Sequence, residues 1–185
     1  MTINITTSET YSLLSAITDY PQPGLEVKVR HCVELLDVSL PKAAKELRRF
    51  LDFVEKEPQS RLEEIYTSTF DINPICAPYI GHHLFGETHK RGDFMVRLKG
   101  DFSVYDYSPE GELPDHLSVL LGFLSVLDDE HSARTLISEC MLPALEKMEA
   151  GSSKDGSAYH SVIRAVSLVL KNKLKTELPG GAQNV

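Results

Sequence analysis

The sequence holds no apolar run near the ~20 residues that a helix needs to cross a bilayer, so no membrane-spanning segment is expected. Its opening, Met1 to Thr6, lacks a basic cluster followed by an apolar core and does not read as a secretory signal. Cysteine is scarce: Cys32, Cys76 and Cys140 are far apart and odd in number. Such a set suits reduced thiols better than a disulfide framework, and the expected location is the cytoplasm. Positive charge is also short, with 19 Lys and Arg against 27 Asp and Glu and a net charge of -8. Non-specific binding to nucleic acid, which needs basic surface, is therefore not expected. A cationic peptide or protein partner is allowed, although the same charge also serves solubility alone.

Patterns that carry catalysis are missing as well. There is no Gly-x-Ser-x-Gly elbow, no phosphate-binding GxGxxG or GxxxxGK loop, no CxxC and no HExxH. His82, His83 and His89, with Cys76 upstream, could be drawn as a metal site. Zinc, however, wants its ligands converging at about 2.0–2.3 Å from recognisable short spacings, and adjacent His82 and His83 cannot easily point the same way. No metal, cofactor or catalytic residue is expected. Asp115-His116 has a local explanation: Pro114 fixes φ and Asp115 places negative charge over the free N–H groups of a helix start. The alternative is a small helical enzyme or metal-binding protein using Asp115, His116 and His89.

What is present is helical periodicity. The length, with 42% hydrophobic and 25% charged residues, suits a single globular domain over residues 1–185. Apolar residues at 3.6 spacing predict an all-α bundle of about eight helices. The first carries Tyr11, Leu14 and Ile17, is capped by Thr7 or Ser8 and is closed by Pro21. The second follows Gly24 and includes Val27 and Val38; the third begins at Pro41 and ends at Pro58. A fourth spans Ser60 to Phe70, and Asp71 to Gly86 reads as an ordered loop with room for one short helical turn. A fifth runs from His89 to Tyr105, where Phe94 and Phe102 would share a face. The sixth, Pro114 to Leu127, is apolar nearly all round, so it belongs at the centre of the fold or beneath a partner. The seventh starts near Asp129, kinks at Pro143 and ends at Gly151; the eighth carries Tyr159 to Leu170. Residues 179–185 are expected to form a flexible tail.

One block of sequence adds a resemblance. Tyr66, Phe70 and Asp71, then Gly86, Glu87, Arg91, Gly92, Met95 and Val96, then Glu112-Leu113-Pro114-Asp115-His116-Leu117 follow the order and spacing of a family motif. The chain resembles the NarJ-type assembly chaperones of nitrate reductase, within the TorD/DmsD group that serves molybdenum enzymes. The family's Glu-His pair before its glycine turn is replaced here by His82-His83. The resemblance implies a TorD/NarJ-like helical bundle, without catalytic activity or cofactor of its own. Its expected partner is the N-terminal leader or apo form of a molybdoenzyme catalytic subunit, held while the molybdenum cofactor is inserted. On that reading Tyr66, Phe70, Tyr105 and Leu117 are groove apolars. Asp71 and Asp115 are charged or capping partners, and Arg91 and His116 complete a polar rim; the alternative for each is core packing or helix capping, and for Gly92 close helix approach. A monomer is expected, with a homodimer through exposed apolar helix faces as the other arrangement.

Overall fold

The structure, a computed structural model, describes residues 5–155 and 157–175. Its elements are α1 (Ile5–Ile17), α2 (Leu25–Ser39), α3 (Pro41–Val54), α4 (Gln59–Tyr66) and a π-helical extension of α4 (Thr67–Asp71). They continue with α5 (Ile80–Phe85), α6 (His89–Val104), α7 (Leu117–Val126) and α8 (Glu130–Thr135). A second π segment (Leu136–Met141) joins α8 to α9 (Leu142–Asp155), and α10 (Tyr159–Lys175) closes the described chain. The fold is an all-α bundle with no strand among the described residues, only an isolated bridge between Tyr79 and His116.

Helix α7 lies at the centre because its sequence leaves no polar face: Leu117 through Leu124 are buried at every position. It packs chiefly on α1. Small residues make that approach close, and their hydroxyls use the partner helix's carbonyls. Ser8 Oγ donates to Ser125 O at 2.6 Å, and Ser15 Oγ donates to Ser118 O at 2.7 Å. Gly122 lies so near the Tyr107 hydroxyl that any Cβ would collide with it. Around this pair, α2 bridges α1 and α3, α10 packs on α3 and α9, and α5 packs on α6 and α9. The buried apolar residues form one cluster. An aromatic group from α3, α4 and α10 anchors it: the Phe50 and Tyr159 ring centroids are 4.8 Å apart, and those of Tyr66 and Phe70 are 4.9 Å apart. Each such ring contributes about 1.5–3 kcal/mol by leaving water.

Several boundaries differ from the sequence reading, each for a local reason. Thr7 and Ser8 lie inside α1 and cap nothing, since Ser8 is committed to α7. Pro58 precedes α4; α3 has already ended at Val54. Helix α7 begins at Leu117 with His116 as its N-cap, so Pro114 and Asp115 are not its first residues. At Pro143 the missing N–H is accommodated by the preceding π segment, where Leu142 N donates to Ile137 O, five residues back. Gly151 lies within α9 and does not end it; a Cβ there would strike Ile75, which packs against the bare backbone. Val27 and Val38 ride on α2 but face solvent. The expected tail, 179–185, lies outside the described residues.

Helix α6 ends in a Schellman turn. Tyr107 N donates to Phe102 O at 2.9 Å, their rings meet at 5.2 Å, and Asp106 takes φ 49° between them. An L-residue is strained in that left-handed position. Asp106→Gly should therefore stabilise the protein by up to about 1 kcal/mol, read as a higher urea midpoint with an unchanged slope. A lower midpoint would mean that the aspartate side chain outweighs the backbone strain.

Candidate functional site

Two loops meet where α5, α6 and α7 converge. Ile80 N donates to Asp115 O at 2.8 Å and Leu117 N donates to Pro78 O at 2.7 Å, which makes the bridge between Tyr79 and His116. This pairing carries Asp115 inward until its side chain has 0% exposure. There Arg91 of α6, 11% exposed, closes on it: Nε donates to Oδ2 at 2.8 Å and Nη2 to Oδ1 at 3.4 Å. Arg91 Nη1 also donates to Glu87 Oε1 at 2.7 Å, and that oxygen lies 2.8 Å from His82 Nδ1. The Asp115 hydrogen bond pushes the Arg91 pKa up, and His82 with Arg91 hold Glu87 below the usual carboxylate range. The guanidinium carbon lies 5.2 Å from the centre of the Tyr79 ring, whose hydroxyl donates to Glu112 Oε2 at 3.2 Å.

Gly81 makes the clasp possible. A Cβ at that position would stand 2.7 Å from Asp115 Oδ2 and 3.1 Å from Arg91 Cγ. Nothing in the local sequence marks Gly81 out from other loop glycines. Glu87 was findable as the i, i+4 partner of Arg91. Glu112 stands in the motif block, whereas Asp19 and Tyr79 had no comparable signal.

His116 caps α7 with its ring. Ser118 N donates to Nδ1 at 3.2 Å and Ser118 Oγ lies 2.7 Å from the same nitrogen. Since Nδ1 accepts, the neutral ring carries its proton on Nε2. Burial lowers the His116 pKa, opposed by Glu112, Asp19, Asp115 and Asp71. The first, second and fourth of these come from separate segments and make no ion pair among the described residues. The same three reinforce burial in raising the Tyr66 pKa. All three are exposed, and each acts electrostatically on both Tyr66 and His116.

The residues read from the sequence fall into three groups. Arg91, Asp115 and His116 come together, with exposed Asp71 near His116. Tyr66, Phe70 and Leu117 are buried in the core beneath this surface. Tyr105 sits at the C-cap of α6, packed on Phe123 at 5.7 Å, about 21 Å along the helix from Arg91. Of the residues named for the enzyme alternative, Asp115 is bound to Arg91 and the His116 Nδ1 to Ser118, and the two side chains are not bonded to each other. No group of three His, Cys, Asp or Glu among the described residues is arranged to hold a metal.

Beside the clasp lies an open cleft of about 740 Å3, lined among others by Glu87, Arg91, Gly92, Asp93, Met95 and Leu113. The alternative reading of Gly92 as a point of close helix approach does not hold: a Cβ there would meet nothing within 4 Å. Ile72 and Ile75, in the loop before α5, and Leu113, in the loop before α7, are exposed apolar side chains.

Residues 34–149 match the family described as nitrate reductase delta subunit, which is more than half of the chain. Among solved structures, a protein of Archaeoglobus fulgidus described as a candidate redox enzyme maturation protein superposes with a TM-score of 0.57. It is 24% identical, with 89% of this chain and 93% of that chain covered, and at that identity the likeness speaks for the fold. No curated protein matches the chain significantly.

Removing one partner of a buried ion pair leaves the other uncompensated. Asp115→Ala should therefore cost about 3–5 kcal/mol in urea unfolding, not the few tenths of a lost helix-start charge, and Asp115→Ala with Arg91→Ala less than the sum of the two. A loss under about 1 kcal/mol would show the pair to be dispensable.

His116 also predicts an acid-side weakness. Its folded pKa lies below the unfolded value near 6.5, so unfolding takes up a proton below that pH. The stabilisation is complete above about pH 6.5 and declines as pH falls toward the folded pKa, by up to about 1.4 kcal/mol per unit. His83, lowered mainly by burial, adds in the same direction. His116→Asn keeps a capping acceptor without titrating, so its stability should fall less between about pH 7.5 and 5.5. Equal losses in both proteins would remove His116 from the explanation.

Proposed function

The chain belongs to the nitrate reductase delta subunit family, and on that premise we propose that it is a maturation chaperone for a molybdoenzyme catalytic subunit of the nitrate reductase type. In this reading it acts in the cytoplasm as a monomer. It binds the subunit's N-terminal leader, or its apo form, and holds it while the molybdenum cofactor is inserted before membrane attachment or export. The activity is binding and not catalysis. Among the described residues no helix is long and apolar enough to cross a membrane.

The observation that carries this reading is the set of exposed carboxylates Asp19, Asp71 and Glu112, which act electrostatically on both Tyr66 and His116 and make no ion pair among the described residues. Carboxylates gathered from three segments repel one another, and a cationic partner relieves that repulsion. Exposed Ile72, Ile75 and Leu113 offer apolar contact nearby in the chain. An amphipathic leader helix with basic residues presents both chemistries. Its apolar anchors would supply most of the affinity, at about 1.5–3 kcal/mol each when fully buried, against about 0–1 kcal/mol for an exposed charge pair. Asp71 meets the leader's cation, and Arg91, Asp115 and His116 hold the surface in shape. Tyr66, Phe70 and Leu117 support it from beneath, and Tyr105 remains the outlying candidate.

Calorimetric titration of the leader peptide at low and high salt tests this. The wild type should bind. Asp71→Asn, an exposed change that should leave melting unaltered, should weaken binding by up to about fivefold at low salt and by less at high salt. Absence of binding by the wild type would contradict the chaperone reading. An Asp71→Asn protein that binds equally at both salts would remove the acidic surface from it.

A further inference from the structure

Residues 72–79, between the π-helical extension of α4 and α5, are fastened to α9 at three points. Ile75 rests on the bare backbone of Gly151, where a Cβ would stand 2.2 Å from Ile75 Cγ2 and 3.3 Å from Cys76 Sγ. Cys76 has no exposure, and its thiol donates weakly to Met148 O at 3.8 Å. The third point runs through α5: His83 Nε2 lies 2.7 Å from Ala77 O, and Lys147 of α9 donates from Nζ to His83 O. The segment buries little apolar surface of its own, since Ile72, Pro74 and Ile75 are exposed. A piece of chain held this way opens at lower free energy than the core beneath it.

His83 is the titratable member of the fastening. Because Nε2 donates to a carbonyl, the neutral ring carries its proton there. A second proton, on Nδ1, charges a half-buried ring that has His82 beside it on α5, with ring centroids 5.5 Å apart, and the Lys147 ammonium facing it from α9. Among the described residues no carboxylate acts on His83, and α6 and the second π segment, also packed on α5, present no charge to it. Burial first, then His82 and Lys147, outweigh the Ala77 bond and hold the His83 pKa below its usual value. A released His83 titrates near 6.5, so it takes up a proton more readily than a fastened one.

We propose that residues 72–79 form a strap latched to α9 through His83, and that protonation of His83 releases it. The latch is fully favoured above about pH 6.5 and weakens as pH falls toward the folded pKa, by up to about tenfold in the released fraction per unit. Asp71 stands immediately before the strap, and at its far end Tyr79 bonds Glu112. Release therefore frees both ends of the candidate site and lowers affinity for a leader in acid. That consequence rests on the chaperone reading; the latch does not.

Cys76 reports the latch without any partner. Its reaction with a dipyridyl disulfide, divided by the rate of the urea-unfolded chain at the same pH, measures how often the strap is open. Peptide mass spectrometry separates it from Cys140 and from Cys32, which is buried in the core on α2 and measures global opening in the same sample. Cys76 should react at least about tenfold faster than Cys32, and its normalised rate should rise severalfold, up to about tenfold, from about pH 7.5 to 5.5. His83→Gln keeps a donor for Ala77 O without titrating, so its Cys76 rate should stay within about twofold over that range. Equal rates for Cys76 and Cys32, a flat wild-type profile, or a full rise in His83→Gln would each overturn the latch. Should His83→Gln not fold, the ring titration of wild-type His83 by NMR decides instead: a midpoint below about 6.5 supports the latch, and one at or above it overturns it. Either failure leaves the chaperone reading standing, since neither measurement uses the leader.

Discussion

A carboxylate with no solvent exposure needs a cation beside it, and Asp115 has Arg91. This pair governs the geometry of everything around it. The guanidinium comes from α6, the carboxylate from the strand-like segment leading into α7, and the space between them exists because Gly81 of α5 has no side chain. Once closed, the pair fixes the path of residues 112–116. Glu112 is then held at Tyr79, Leu113 turns outward, and His116 is placed over the first N–H groups of α7. A buried pair of this kind adds little net stability over a well-packed apolar substitute, but half of it is costly. Its value here is that it ties three helices and two loops to one arrangement.

Much of the fold is legible in the residues. Pro41 and Gly24 mark helix starts; Phe94, Leu98 and Phe102 repeat every four residues and share the buried face of α6; α7 has no polar face and lies at the centre. These features are local, and periodicity reports local features well. The clasp is not local. Asp115 and Arg91 are 24 residues apart, so an aspartate following proline reads most simply as a helix-start charge, and only the fold reveals a buried ion pair. For the same reason Gly151 reads as a helix end until Ile75 is seen packed on it. The motif block mixes core and surface residues without separating them. Tyr66, Phe70 and Leu117 have the apolar character of groove residues, but apolar character says that a residue is covered and does not say by what.

The proposed division of labour follows from this contrast between a stiff interior and an open exterior. Beneath the surface, the aromatic cluster and the Asp115–Arg91 pair hold their neighbours in place. On the outside, the exposed carboxylates Asp19, Asp71 and Glu112 gather negative charge. A surface that must accept a helix benefits from being preformed, because little ordering cost is then left to the binding step. On the proposed reading these carboxylates would accelerate encounter with a basic leader, and apolar contacts would determine how long the complex lasts.

The central claim is that the leader is received at the exterior around the Asp115–Arg91 pair, where the loop after α4, the Tyr79 segment and α6 present their outer residues. Amide hydrogen exchange with and without the leader peptide tests it directly. The account predicts slowed exchange in residues 71–79, 87–96 and 112–116, with α2 and α10 unchanged. Protection confined to α2, α3 or α10, or no protection at saturating peptide, would contradict it.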